Sequence, residues 1–247
     1  MRITERTDTA QAFVTSLSFS RRNTVIAEAY APGLQLSTEG VCYRGECHTA
    51  CWSERNYDRL EQFAPNVIED GGVLPATLSE DDVAAVKDVM QAAADAMGIT
   101  DGPVKGDLVL TENGPVVVEI AARLSGGYLC TDQIPWARGV DLVRQTIKLA
   151  LGEELERSEL VPEHRGYIGV RFFFPEPGVV ESIEGFEELG AEPWILKRMM
   201  YVEPGDVVEA TTSHPTRAGF VFTTADTPEE AERRAIECTR RVRIVTR

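Results

Sequence analysis

Lys105 to Tyr128, KGDLVLTENGPVVVEIAARLSGGY, reads as a tight β-hairpin, and the rest of the chain is interpreted around it. Leu108-Val109-Leu110 and Val116-Val117-Val118 form the apolar arms, joined by Thr111-Glu112-Asn113-Gly114. Asn-Gly tolerates the positive φ that such a turn requires. Folding about residues 112–114 brings Asp107, at the start of the first arm, beside Glu119, at the end of the second. Left unpaired, two adjacent carboxylates repel and one pKa rises. Taken alone, the pair fits either solvated hairpin ends or a cation site. Carboxylate oxygens without nearby His or Cys suit Mg²⁺ or Mn²⁺ rather than Zn²⁺. Mg²⁺ usually takes one or two carboxylates and completes its octahedron with phosphate oxygens and water, so two acids point to a metal–nucleotide site. Arg123 follows on the same segment, and Ser125-Gly126-Gly127 lets backbone N–H groups approach an anion closely.

The 247 residues suffice for one large domain or two modest ones. A chain 43% hydrophobic and 26% charged has the profile of a soluble globular protein. A net charge of −15 argues against nucleic acid and anionic membrane surfaces as partners. It does not exclude ATP, because a local group of Arg and Lys overcomes the global field. No apolar run reaches the roughly 20 residues of a membrane span. Met1–Arg6 is polar and carries no secretory signal, which sets the expectation of a cytoplasmic location. Cys42, Cys47 and Cys51 have spacings that fit no standard metal pattern, so they and Cys130 and Cys238 are expected as free thiols.

In chain order, Thr7 or Asp8 caps a helix expected to reach about Arg22. Thr24–Tyr30 and Leu34–Val41 are read as strands, and Gly45 turns the chain into a third at His48–Ser53. Residues 53–78 read as a mobile loop followed by a short strand entering Pro75, with Arg55 more simply solvated than functional. Ser79-x-x-Asp82 opens a helix Glu80–Met97, whose Val83, Val86, Met90, Ala94 and Met97 recur near 3.6 residues. Lys105 is placed either near phosphates or in solvent. After Gly127 come a loop, then a helix from Gly139 to about Gly152. Strands follow at Tyr167–Phe174, Gly178–Val180, Trp194–Val202 and Gly219–Thr224, and Pro228 begins the last helix.

The order Asp107, Glu119 twelve residues on, Arg123 and then Gly126-Gly127 resembles the metal-binding hairpin of the ATP-grasp ligases. In that family an acid and a Glu-x-Asn-x-Arg segment hold Mg·ATP. Here Ala121 stands in the Asn position, so one metal contact is absent or replaced by water. Glu28-Ala29-Tyr30-Ala31 looks like the family's adenine hinge. Gln35, seven residues after Glu28, takes the place of a ribose-binding Glu, and Val109 matches the apolar residue lying against adenine. The resemblance implies metal ligation by Asp107 and Glu119, a catalytic role for Arg123 and substrate contact at Ser125, Gly126 and Gly127. Pro177-Gly178-Val179-Val180 and Pro204-Gly205-Asp206 resemble the small C-terminal domain of the L-amino acid ligases.

The implied fold is α+β: the C-terminal portion of an ATP-grasp domain over residues 1–152, an antiparallel sheet with helices, and a small α+β domain over 153–247. The implied activity joins small-molecule carboxylate and amine substrates, amino acids among them, through an acylphosphate with ATP and Mg²⁺. The lysines that grip ATP phosphates in the family are expected before Met1, so the chain is read as a truncated ligase lacking an N-terminal segment. The alternative is a non-catalytic nucleotide-binding or structural remnant.

Overall fold

The computed structural model describes residues 8–247. Its centre is an antiparallel sheet with strand order β5-β4-β1-β2-β3-β6-β10-β8. Strands β1 (Leu34–Tyr43) and β2 (Glu46–Asn56) form one hairpin, and β4 (Gly102–Thr111) and β5 (Gly114–Ala121) form the second. The second hairpin turns at the expected place, with Gly114 at φ +102°. The short β3 (Gly71–Leu74) joins this half to β6 (Tyr167–Phe173), β10 (Gly219–Ala225) and β8 (Ile195–Met200). Pairing of β3 with β6 carries the sheet unbroken past residues 153–165.

One face of β1, β2 and β4 is closed by α2 (Glu80–Met97), which forms as expected. The Ser79 hydroxyl accepts from the Asp82 N–H at 3.1 Å, and Gly98 ends the helix in the left-handed region. Val86, Met90 and Ala94 pack on Leu36, Val104 and Leu108. Each fully buried Val, Met or Leu contributes roughly 1.5–3 kcal/mol. Gly106 permits the close approach, since a Cβ there would lie 2.4 Å from Met90 Sδ.

The opposite face is covered only in part. Residues Leu129–Gln133 form a π-helical turn that runs into α3 (Ile134–Arg138), and α4 (Leu142–Ala150) follows. Ile134, Ala137 and Leu142 pack against Val41, Cys51, Ile168 and Phe220. The stretch after Gly127 is therefore helical, not the loop expected from sequence. α4 starts at Leu142, later than expected, because the Asp141 side chain accepts from the Arg144 N–H. Helix α5 (Pro228–Arg241) packs on β6 and β10. A separate sheet joins β7 (Gly178–Glu184), β9 (Val207–Val208) and β11 (Arg243–Thr246); no strand was expected at β11.

The N-terminal region departs most from expectation. α1 spans Thr9–Phe19, shorter than expected, with Asp8 as N-cap but without a side-chain cap bond; Thr7 lies outside the described residues. Thr24–Tyr30 forms no strand. Its β-branched residues have the propensity, but β1 is already flanked by β2 and β4, and a strand without a partner leaves its backbone groups unpaired. Ile26 and Tyr30 are exposed. All five cysteines are free thiols.

Candidate functional site

Strand register decides which side chains meet on the partly open face. Ser53 lies opposite Ser37, Ser37 opposite Asp107, and Asp107 opposite Glu119. Residues directly across antiparallel strands point to the same side, so these four form one row across β2, β1, β4 and β5. Leu36 and Leu108 point the other way, beneath α2. The row borders a cleft of about 420 Å³. Lys105, Arg123 and Ser125-Gly126-Gly127 line one side, and Arg55, Glu69, Val170, Phe172, His214 and Arg217 line the other.

The two carboxylates share a face but not an environment. The Asp107 side chain is 19% exposed and that of Glu119 is 57%. Asp107 Oδ1 accepts from the Ser37 hydroxyl at 3.0 Å and lies 3.4 Å from Arg55 Nη1, while Oδ2 pairs with Lys105. Glu119 lies 3.6 Å from Arg123 Nη2. Cations of the chain therefore meet the conflict that the bare pair would create. Two sequence readings are corrected here. Arg55 is largely buried and ion-paired, not solvated, and burial of Lys105 against Asp107 replaces the solvent placement. The burial of Arg55 shows in no local pattern, because its partners come from β4 and from the segment before β3.

Gln35 and Val109 lie opposite one another on the same face, one row beyond Ser37 and Asp107. Two residues along a strand cover about 7 Å. Gln35 is half-buried and Val109 buried. Glu28, Ala29 and Tyr30 are exposed and Ala31 half-buried, in the irregular segment before β1. None of these six residues lines the cleft that holds Asp107 and Glu119. The segment does return to Val109: a Cβ on Gly33 would lie 3.0 Å from its Cγ1.

Glu39, one row to the other side of Ser37, was not singled out in the sequence. It lies opposite Lys105 and is 1% exposed. Its Oε1 accepts from the Ser125 N–H at 2.9 Å, and its Oε2 is buried without a partner. Burial pushes its pKa up to about 8, against the lowering effects of Ser125, Lys105 and Arg123. The carboxyl thus fastens the Ser125–Gly127 segment to the sheet largely as a neutral acid near pH 7. Period-two alternation from Gln35 and Ser37 carried this signal.

Glu69, His214 and Arg217 had no such signal. Arg55 Nη2 donates to Glu69 Oε2 at 3.2 Å, and Arg217 Nη2 donates to the Glu69 carbonyl at 2.6 Å. Arg217 stacks 3.7 Å over the Phe172 ring. His214 Nε2 accepts from the Glu69 N–H at 3.3 Å. Burial, with Arg217 next in weight, brings the His214 pKa down to about 4. Burial also lowers Arg55, but Glu69 and Asp107 more than offset this and raise it.

Among the described residues no group of three or more His, Cys, Asp or Glu side chains gathers around one point. Asp107 and Glu119 are thus two oxygen donors on one face. That set fits a Mg²⁺ ion completed by phosphate oxygens and water, and does not fit an all-protein cage.

Residues 171–247 match the family L-amino acid ligase C-terminal domain 2. The uncharacterized protein y4rH of Sinorhizobium fredii is 30% identical over 166 residues, covering 66% of this chain and 34% of that protein. Carnosine synthase 1 of Gallus gallus is 28% identical over 130 residues, covering 53% of this chain and 13% of that protein. The chain thus spans 34% and 13% of these curated relatives. The crystal structure of an L-amino acid ligase from Bacillus licheniformis superimposes with a TM-score of 0.86 at 22% identity, over 100% of this chain and 61% of that one. That likeness establishes the fold.

Proposed function

We propose that this chain, whose residues 171–247 match the L-amino acid ligase C-terminal domain 2 and whose fold superimposes on an L-amino acid ligase, carries the metal- and substrate-binding part of an ATP- and Mg²⁺-dependent ATP-grasp ligase that joins amino acids. One observation supports this most: Asp107 and Glu119 face each other across β4 and β5 at the cleft, with Arg123 and Ser125-Gly126-Gly127 beside them.

In this reading an oxygen of the substrate carboxylate bonds to the γ-phosphorus of ATP and ADP departs. The amine nitrogen then bonds to the acyl carbon, phosphate leaves and the nitrogen loses a proton. Asp107 and Glu119 would hold Mg²⁺, which neutralises charge on the transferring phosphoryl group. Arg55 and Lys105, paired with Asp107, place two cations next to that group, and Arg123 adds a third. The Ser125–Gly127 backbone, held by Glu39, borders the substrate. Gln35 and Val109, one row from the carboxylates, and the Glu28–Ala31 backbone before β1 are assigned to the nucleoside.

The non-catalytic reading has one observation in its favour. Both oxygens of Asp107 are already engaged by Ser37, Arg55 and Lys105, so an ion there must compete with the chain's own cations. Phosphate release from ATP with a panel of L-amino acids separates the two. No Lys lies between Met1 and Glu28, so the 247 residues are expected to turn over weakly. Absence of any turnover would favour the remnant.

A further inference from the structure

We propose that Cys42 and Cys47, at the tip of the β1–β2 hairpin, form a dithiol site that hydrogen peroxide oxidises to a reversible disulfide. The inference stands apart from the ligase reading, since the pair lies on the α2 face of the sheet and lines no part of the cleft.

The first support is geometric. Arg44 and Gly45 are the whole loop between β1 and β2, and both have positive φ, at 53° and 81°. A two-residue turn of this kind makes Tyr43 and Glu46 the hydrogen-bonded pair that closes it. Cys42 and Cys47 are the next pair, and the alternation of the ladder makes theirs non-hydrogen-bonded. The Cys47 N–H agrees, because it donates to Gln91 Oε1 at 2.7 Å and not to β1. In such a pair the Cα atoms stand about 4.5 Å apart, inside the range that a disulfide spans. Both side chains pack in the cluster beneath α2, so they point the same way.

The second support is the unequal chemistry of the five thiols. Cys42 is fully buried and Cys47 only half-buried. The Cys42 thiol donates to the Cys47 sulfur, which lowers the Cys47 pKa against the cost of burial. Thr49 Oγ1, 4.0 Å from that sulfur, acts in the same direction. The contact with Cys47, and then burial, raises Cys42. Burial pushes Cys51 up to about 12 and Cys238 up to about 11, and raises Cys130 as well. Cys47 alone combines partial exposure with a stabilised thiolate, and a second thiol stands beside it. A thiol so placed oxidises first and is then resolved by its neighbour.

The Cys47 thiolate attacks one oxygen of the peroxide, the O–O bond breaks, and hydroxide leaves. Cys47 is then a sulfenic acid. The Cys42 sulfur attacks the Cys47 sulfur, the S–O bond breaks, and water departs with the Cys42 proton. Together the thiols lose two electrons, and the peroxide ends as two waters.

The test treats the reduced, folded chain with one equivalent of hydrogen peroxide, blocks the remaining thiols and digests with trypsin. Cleavage after Arg44 separates the two cysteines, so the disulfide appears as peptide 23–44 linked to peptide 45–55. The wild type is expected to give this link as its main product. Its intact mass should fall by two hydrogens and recover with dithiothreitol. Cys42→Ser should stop at a sulfenic acid on Cys47, trapped by dimedone. Cys47→Ser should abolish the link, while Cys51→Ser, which removes the other thiol of peptide 45–55, should keep it. Cys47→Ser alters a partly exposed side chain and keeps the test decisive if Cys42→Ser fails to fold.

No link in the wild type, or a main product through Cys130 or Cys238, overturns the site. A link that survives Cys47→Ser or vanishes in Cys51→Ser also overturns it. Linking as fast in urea as in the folded chain would show that the hairpin does not create the site.

Discussion

Arg171 on β6 differs in charge balance from Arg55 and Arg217 at the cleft. Arg171 faces α5, where Nη1 meets Asp70 at 3.2 Å and Nη2 meets Asp58 at 3.2 Å and Glu232 at 2.8 Å. Gly71 leaves room for it, since a Cβ there would lie 2.3 Å from Arg171 Nη1. Three acids surround one cation, and the group ties β3, β6 and α5 together. Arg55 and Arg217, on the cleft face, share the carboxylate of Glu69, and Arg55 also lies 3.4 Å from Asp107. An arginine enclosed by its own acids has no capacity left for a ligand. Arginines that share their acids with other cations still have some. The contrast separates fastening from binding where burial alone does not.

The sharpest way to break the comparison is Arg171→Ala. Removing the cation leaves Asp70 buried without its ion pair, and a loss of about 3–5 kcal/mol is expected in urea unfolding. A loss under 1 kcal/mol would show that this face does not depend on the pair. Asp107→Asn tests the other face. It keeps shape and an acceptor but removes charge, so turnover of the active form should fall roughly 100- to 1000-fold while stability changes little. A large fall in stability with unchanged turnover would make the cleft network structural as well.

Glu39 gives a prediction in pH. Its carboxyl ionises near 4.5 in the unfolded chain and near 8 in the folded one, so the folded state binds more protons between those values. Its contribution to stability is full below pH 4.5, is lost as pH rises towards 8, and is level above. Glu39→Gln should flatten that slope and stabilise the protein at pH 8.5 by an amount on the order of 1–3 kcal/mol. His214 acts in reverse. Its folded pKa lies near 4, below the ordinary 6.5, so its contribution is lost as pH falls from 6.5 to 4, and His214→Asn should flatten the acid limb. The smallest effect is expected at a helix end remote from both networks: Ser79→Ala should cost about 1 kcal/mol.

The sequence was most legible where local chemistry and tertiary context agree. Asn113-Gly114 placed the hairpin, and Ser79 and Gly98 placed both ends of α2. The turn sets the register only as far as Leu108 opposite Val117; the Asp107–Glu119 juxtaposition also needs the β-bulge that follows, which the sequence did not reveal. It was least legible where a partner lies far away. Thr24–Tyr30 has strand residues but no strand to join. Arg55 looked like a solvated loop residue because Glu69 and Asp107 are 14 and 52 positions away. Arg217 meets Glu69 across 148 positions, and no periodicity reaches that far.

The four residues of β3 have a consequence for how the chain comes apart. Gly71–Leu74 pair with β2 on one side and β6 on the other, and so sew together two halves that a boundary at 153–165 would divide. A protease nick in that charged segment should leave the pieces in one particle. They should co-elute in gel filtration, separate only in denaturant, and melt in a single transition. If they part in native buffer, the seam is too weak to act as a spine, and the two walls of the cleft move as independent bodies.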